Sequence, residues 1–281
     1  MRFCSAFLLL IYVSASSSAS DHTIKIDELD IVSHSVVLSA SLVSPREVRP
    51  YAALVFVHGS GRQERNLGLA KRLAAEGIAT LVYDKRGVGR SQGEYESKQS
   101  VSEKNIRLLA EDAAAALAAL KSHPDTHHLP LGLTGISQAG WIVPLAAEIG
   151  PVPDFMVLWS GPVCKVSEED IYSKFTQDKD RASVPTYEEA LKAREQEYIW
   201  PDFLGKDSNP VDSLVKLKIP GLWLFGEEDG SIPVDLSIKN LEELIRSSYP
   251  FSYKKLQGVG HNNIDDSLNL VVDWIKTSID D

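Results

Sequence analysis

A serine, an acidic residue and a histidine each follow an apolar segment typical of a buried strand. Ser137 comes after the segment that ends at Thr134, and Asp229 and His261 come after two later segments. A serine hydroxyl is a weak nucleophile near neutral pH and needs a base. An imidazole base in turn needs a carboxylate to fix its tautomer and to stabilise its charged form. These residue types predict acyl-transfer chemistry with Ser137 as nucleophile, His261 as general base and Asp229 as orienting acid.

Ser137 is the central residue of the sequence Gly-Ile-Ser-Gln-Ala-Gly at 135–140, between a predicted strand and a predicted helix. A sharp strand-to-helix turn exposes a serine hydroxyl above the sheet and needs small neighbours, because the two backbones pass close together. The motif departs from Gly-x-Ser-x-Gly at Ala139. Taken alone, it is also compatible with a serine that caps a helix after a glycine turn.

The acid and the base each have competitors. Glu227 and Glu228 lie beside Asp229, and Glu228 is the second choice for the orienting acid. His58 is the alternative base, although its early place in the chain favours a structural role in bracing its loop. The remaining histidines are expected at the surface: His22, His34, His123, His127 and His128.

The sequence His-Gly-Ser-Gly at 58–61 follows another buried apolar run. Small residues there let the backbone approach a reacting carbonyl. The N–H of Ser60, or alternatively that of Gly61, pairs with the N–H of Gln138 to form the predicted oxyanion hole.

Apolar segments and helical patterns alternate along the chain, which predicts a mainly parallel sheet with helices on both faces. Strands are expected at 23–30, 35–43, 51–57, 79–84, 130–134, 154–160, 221–225 and 251–256. Helices are expected at 66–76, 138–149, 236–246 and 264–278, with a further helix opened by a capping box of Ser100 and Glu103. Residues 161–218 lack strand patterning and are predicted to form a small helical cap insertion. Its aromatic residues either line a substrate pocket or pack the cap onto the body: Tyr172, Phe175, Tyr187, Tyr198, Trp200 and Phe203.

Several motifs together resemble the α/β-hydrolase superfamily, in particular its serine esterase-like branch related to dienelactone hydrolase. These are His-Gly-Ser-Gly at 58–61, Tyr-Asp-Lys-Arg-Gly-Val-Gly-Arg-Ser at 83–91, the Ser137 motif, Gly-Glu-Glu-Asp at 226–229 and Gly-His at 260–261. The resemblance implies an eight-stranded sheet, the triad Ser137, Asp229 and His261, and carboxylic-ester hydrolysis. Dienelactone hydrolases proper use a cysteine nucleophile, so Ser137 points away from that activity. Asp84 and Arg86 are expected to hydrogen-bond the backbone of a structural turn.

The composition excludes some partners and suggests a location. The formal net charge is −10, which argues against nucleic-acid binding and against a stable membrane association. Residues 1–20 have a positive start, a short apolar run and small polar residues, and they predict a cleaved signal peptide and secretion. Residues 21–281 would then form one hydrolase domain, in which Cys164 is a buried small apolar residue. No metal or other cofactor is expected, because the histidines lack ligand spacing.

The chain is therefore predicted to be a secreted serine hydrolase that cleaves small-molecule carboxylic esters through an acyl-enzyme on Ser137. The alternatives are a serine peptidase acting on short peptides and a non-catalytic binding protein on a hydrolase scaffold. The oligomeric state and the natural ester are not predicted.

Overall fold

The computed structural model describes residues 23–280, and the signal peptide predicted at 1–20 lies outside this part of the chain. The strands between residues 23 and 280 are β1 (Ile24–Ser33), β2 (Val36–Pro45), β3 (Ala52–Val57), β4 (Ile78–Tyr83), β5 (Leu131–Ile136), β6 (Phe155–Trp159), β7 (Gly221–Gly226) and β8 (Phe251–Leu256). In the described residues they form one eight-stranded sheet in the order β1-β2-β4-β3-β5-β6-β7-β8.

Strand β2 runs antiparallel to both of its neighbours, β1 and β4. The pairs from β4 through β3, β5, β6 and β7 to β8 are all parallel. The prediction of a mainly parallel eight-stranded α/β-hydrolase sheet is confirmed. Since the parallel strands share one direction, the loops after β3, β5, β7 and β8 emerge at the same edge, where sites form in such sheets.

Helices cover both faces of the sheet. They are α1 (Leu67–Ala75), α2 (Glu103–Ser122), α3 (Ala139–Ile149), α4 (Val166–Thr176), α5 (Tyr187–Lys192), α6 (Val211–Leu214), α7 (Val234–Arg246) and α8 (Ile264–Asp280), with a 3-10 turn at Asp202–Leu204. Alternate residues of β3 enter opposite cores: Val55 packs with residues of α2 and α3, and Leu54 packs with residues of α1 and α8. This period of two explains why the central strands are apolar throughout.

Side chains cap the N-termini of helices α1 and α2. The Asn66 side chain accepts the N–H of Leu69 at 3.0 Å at the start of α1. For α2 the predicted capping box is wrong: Ser102 is the N-cap, and its hydroxyl accepts the N–H of Asn105. The Glu103 carboxylate instead accepts the N–H of Lys206, a contact between distant parts of the chain that a local pattern does not reveal.

The segment predicted as a cap, 161–218, contains helices α4, α5 and α6 and the 3-10 turn. Its aromatic residues have different environments: Tyr172 is buried, whereas Phe175 and Phe203 are exposed. Tyr172 therefore packs the segment onto the body. The division into cap and body stays a prediction. Cys164 is buried, as expected. Between residues 23 and 280, no helix combines the length and apolar character needed to cross a membrane.

Candidate active site

Ser137 occupies a strained turn between β5 and α3. Its φ angle is +58°, a left-handed conformation that non-glycine residues rarely adopt. The N–H of Ser137 donates to the Trp159 carbonyl at the end of β6. The side chain is half-buried and so remains accessible from the carboxyl edge of the sheet. Backbone strain of this kind clusters at functional sites.

The neighbours of Ser137 explain the unusual Ala139. A Cβ atom at Gly135 would overlap the Ala139 methyl group and the Val57 carbonyl oxygen. Ala139 is completely buried, so its methyl group fills the space that the glycine leaves. The alanine therefore fits this turn, provided that position 135 is glycine.

Asp229 and His261 come together at the ends of β7 and β8. His261 Nδ1 lies 2.9 Å from Asp229 Oδ1 and 2.8 Å from Oδ2. The Asp229 side chain has no exposed surface, and that of His261 is 14% exposed. Asp229 Oδ1 also accepts the N–H groups of Ser231 and Ile232. The rival acid Glu228 uses its own N–H to bond the Val259 carbonyl, and Asp229 is the acid that meets the imidazole.

The surroundings of His261 favour its charged form. Burial by itself lowers the pKa of His261, but the hydrogen bond and the negative charge of Asp229, together with the charge of Asp180, outweigh burial and raise that pKa above 6.5. Asp229 engages Nδ1 and leaves the other ring nitrogen, Nε2, without a hydrogen bond; among residues 23–280 no hydrogen bond joins it to Ser137.

Two residues that the sequence analysis missed hold the histidine loop. The side-chain amide of the buried Asn263 donates to Ser160 Oγ and to the Leu224 carbonyl, which ties this loop to the ends of β6 and β7. Asp180, in the segment after α4, accepts the N–H of His261 at 2.9 Å and the N–H of Gly230 at 2.9 Å. Both act across long sequence separations, so no local motif marks them.

The predicted oxyanion donors have no competing acceptors. Neither the Ser60 N–H nor the Gln138 N–H donates to any acceptor among residues 23–280. Side chains hold the loop after β3 in place, since Gln63 Nε2 donates to the Ser60 carbonyl. The loop lies against Ser137, because a Cβ at Gly59 would sit 3.3 Å from the Ser137 Cβ. Both N–H groups are therefore free to donate to a ligand oxygen beside Ser137.

His58 is poorly suited to the alternative role of base. Its side chain is buried, and its ring packs edge-on against Tyr83 with centroids 4.8 Å apart. Burial, followed by the nearby charge of Lys85, lowers the pKa of His58 to about 3. The ring is therefore neutral and braces the loop.

The motif at 84–87 is a turn in which Asp84 binds backbone, as expected, whereas Arg86 does not. Asp84 accepts the N–H groups of Arg65 and Arg90. The expectation for Arg86 is wrong, because its guanidinium pairs with the buried carboxylate of Asp112 on α2. A buried guanidinium needs an anionic partner, and helix α2 supplies one that is distant in sequence.

A cleft of about 400 Å³ borders the candidate site. Ile136, which precedes Ser137, and Asn262, which follows His261, both line it. The two loops therefore face a common space. In residues 23–280 no three His, Cys, Asp or Glu side chains are grouped as metal ligands would be.

The family model described as serine aminopeptidase, S33, matches residues 48–198, which is more than half of the chain. The chain belongs to the serine aminopeptidase S33 family. The match includes the loop after β3 and the Ser137 turn, and it places the protein among the α/β hydrolases.

Outside the family model, two Mycobacterium tuberculosis strains carry a curated relative with the provisional name phosphoribosyl transferase. It is 29% identical over 136 residues, which is 47% of this S33 family chain and 29% of the relative. The chain thus spans less than a third of the length of the curated relatives it matches.

Solved structures share the fold of this S33 family member. An esterase of Pyrococcus furiosus has a TM-score of 0.65 at 17% identity, covering 95% of this chain and 96% of that one. An acylaminoacyl peptidase of Pyrococcus horikoshii has a TM-score of 0.65 at 16% identity, covering 90% and 41%. A dienelactone hydrolase of Anabaena variabilis has a TM-score of 0.59 at 19% identity, covering 92% and 99%. At these identities the likeness shows the fold alone.

Proposed function

We propose that this hydrolase cleaves carboxylic esters of small molecules through an acyl-enzyme on Ser137. The observation that carries the proposal is the pairing of His261 Nδ1 with the fully buried carboxylate of Asp229. A buried carboxylate on one ring nitrogen makes the other a base of fixed tautomer. The strained Ser137 turn supplies the nucleophile for that base.

The reaction has two stages. Ser137 Oγ adds to the ester carbonyl while His261 Nε2 takes its proton, and the carbonyl electron pair moves to an oxyanion that faces the Ser60 and Gln138 N–H groups. The oxyanion collapses, the alcohol leaves with the proton from His261, and the acyl group stays on Ser137. A water molecule then attacks the acyl-enzyme while His261 takes its proton. The carboxylic acid is released as His261 returns the proton to Ser137. Each oxyanion donor typically contributes on the order of 10²–10³ in rate.

Esters are favoured over peptides as substrates because their leaving group depends less on protonation. An alkoxide needs less protonation to leave than an amine does, so the triad and two N–H donors suffice for esters without further groups that hold a peptide. Peptide hydrolysis remains the second candidate, because the family is described as serine aminopeptidase.

We further propose that residues 1–20 are removed on secretion, which N-terminal sequencing of protein from the culture medium tests.

The decisive experiment compares the wild type with Ser137→Ala. Labelling by a fluorescent fluorophosphonate is expected for the wild type and not for the variant. Ser122→Ala, which alters an exposed serine at the end of α2, is the control that keeps labelling. A panel of ester and amide substrates with the same acyl groups then separates the candidates. Faster cleavage of esters supports the proposal, equal or faster cleavage of aminoacyl amides favours a peptidase, and an unlabelled folded wild type favours a binding scaffold.

A further inference from the structure

Lys85 is a buried cation beside the predicted oxyanion hole. Lys85 is 4% exposed and lies in the turn at 84–87, which follows β4. Its ammonium group donates to the Gly59 carbonyl at 2.8 Å and to Gln138 Oε1 at 2.9 Å. One side chain thus contacts both backbone segments from which the oxyanion donors come.

The contact with Gly59 acts on the donor peptide itself. The Gly59 carbonyl and the Ser60 N–H belong to the same planar peptide unit, so an ammonium on the carbonyl oxygen fixes the direction of that N–H. It also polarises the peptide, because hydrogen bonds in chains strengthen one another. Polarisation makes the Ser60 N–H a better donor to an oxyanion.

The contact with Gln138 orients the second segment. The Gln138 side chain is held at both ends, since its Oε1 accepts from Lys85 and its Nε2 donates to the Ser100 carbonyl at 2.9 Å. The backbone N–H of Gln138 follows directly after the nucleophile. Fixing this side chain therefore restrains the first residue of the turn into α3.

The charge of Lys85 has no anionic partner in the part of the chain that the structure describes, where both of its acceptors are neutral oxygens. Burial lowers the pKa of Lys85 from 10.5 to about 8. The titratable groups that face it are the neutral His58 and Tyr95, whose ring centroid lies 5.9 Å from Nζ. A buried cation without a counter-ion is unfavourable, and a negative charge forming nearby offsets that cost.

We propose that Lys85 is a positioning residue of the oxyanion hole, which aligns and polarises the Ser60 and Gln138 N–H groups and supplies a fixed positive charge behind them. The inference rests on the proposed function of Ser137. When Ser137 Oγ adds to a carbonyl, an electron pair moves to the carbonyl oxygen. The negative charge on that oxygen develops in front of these N–H groups, while Lys85 keeps its proton. The lysine therefore stabilises the transition state without touching the substrate.

The test measures the second-order rate of fluorophosphonate labelling as a function of pH. In this reaction Ser137 Oγ gives its proton to His261 and bonds to phosphorus, and fluoride leaves. Negative charge builds on the phosphoryl oxygen in the same oxyanion hole. Lys85→Met is expected to lower the rate by on the order of 10²-fold and to remove any fall at alkaline pH. Lys98→Met, which removes an exposed lysine, is expected to match the wild type.

The outcomes separate the two proposals. A wild type that is not labelled overturns the proposed function. If the wild type is labelled and Lys85→Met is labelled at the same rate at every pH, only the role of Lys85 is overturned. Should Lys85→Met fail to fold, as judged by circular dichroism, the wild-type profile decides. A rate that falls as the pH rises through about 8 supports the inference, and a rate that stays level up to roughly pH 10 overturns it.

Discussion

Asp180 holds the backbone of His261: its Oδ2 accepts the His261 N–H at 2.9 Å, while its Oδ1 accepts the Gly230 N–H at 2.9 Å. One carboxylate thus joins the loop that carries the imidazole to the loop that carries Asp229. Asp180 belongs to the segment between β6 and β7, so the predicted cap helps to position two residues of the proposed triad, Asp229 and His261. It also adds negative charge that raises the pKa of His261.

Replacing Asp180 by alanine should lower activity and shift its pH dependence. Two backbone N–H groups lose their acceptor, and small displacements of a catalytic group are costly, so we expect kcat/KM for an ester to fall by about tenfold. Loss of the negative charge lowers the pKa of His261. In the proposed mechanism the neutral imidazole is the base, so the acid limb of the kcat/KM profile should move to lower pH.

Asp178→Asn is the matched control, because Asp178 also raises the pKa of His261 through its charge. Its backbone has a φ of +54°, which asparagine tolerates. We expect a smaller shift of the acid limb with little loss of rate. A profile for Asp180→Ala that overlies the wild type would show that Asp180 does not act on the imidazole.

The strands and the strand ends could be predicted from the sequence because their signals are local. Unbroken apolar runs such as β3 and β6 are buried on both faces, and glycine-rich turns follow them at the carboxyl edge. The positions of Ser137, Asp229 and His261 after strands β5, β7 and β8 were predicted in this way. Residues 227–229 alone left three acids open, and only the fold selects Asp229.

Residues that act through tertiary contacts gave no comparable signal. Asp180 lies 81 positions from His261, and Lys85 lies 53 positions from Gln138. In the sequence each belongs to a charged stretch, and most such side chains are solvated. A buried lysine beside neutral carbonyls becomes visible only once β4, β3 and β5 are placed side by side.

Ala139→Gly tests whether the departure from Gly-x-Ser-x-Gly weakens the nucleophile turn. The Ala139 methyl group is buried beside Gly135, so its removal leaves a small void at the start of α3. We expect the free energy of unfolding to fall by about 1–2 kcal/mol, from the lost methyl group and the added glycine. The rate of fluorophosphonate labelling should stay within about twofold of the wild type.

Ala147→Gly removes an equally buried methyl group from the same helix, away from the turn. It should lower the stability measured in urea by a similar amount. Labelling of Ala139→Gly that is faster than the wild type by tenfold or more would contradict the packing role and show that the alanine impairs the turn.

The buried ammonium of Lys85 should make stability depend on pH in a defined window. Its pKa is about 8 in the folded protein, against 10.5 for an ordinary lysine. Below pH 8 Lys85 is protonated in both the folded and the unfolded protein, so burial of its charge destabilises the fold in full. As the pH rises from 8 towards 10.5, the folded protein loses this proton first, and the free energy of unfolding increases. Relative to Lys85→Met, we expect the wild type to gain about 2 kcal/mol between pH 7 and roughly pH 10. Urea unfolding at both pH values measures this gain. The stability difference between the wild type and Lys98→Met should be the same at both pH values. The same result for Lys85→Met would refute the buried charge.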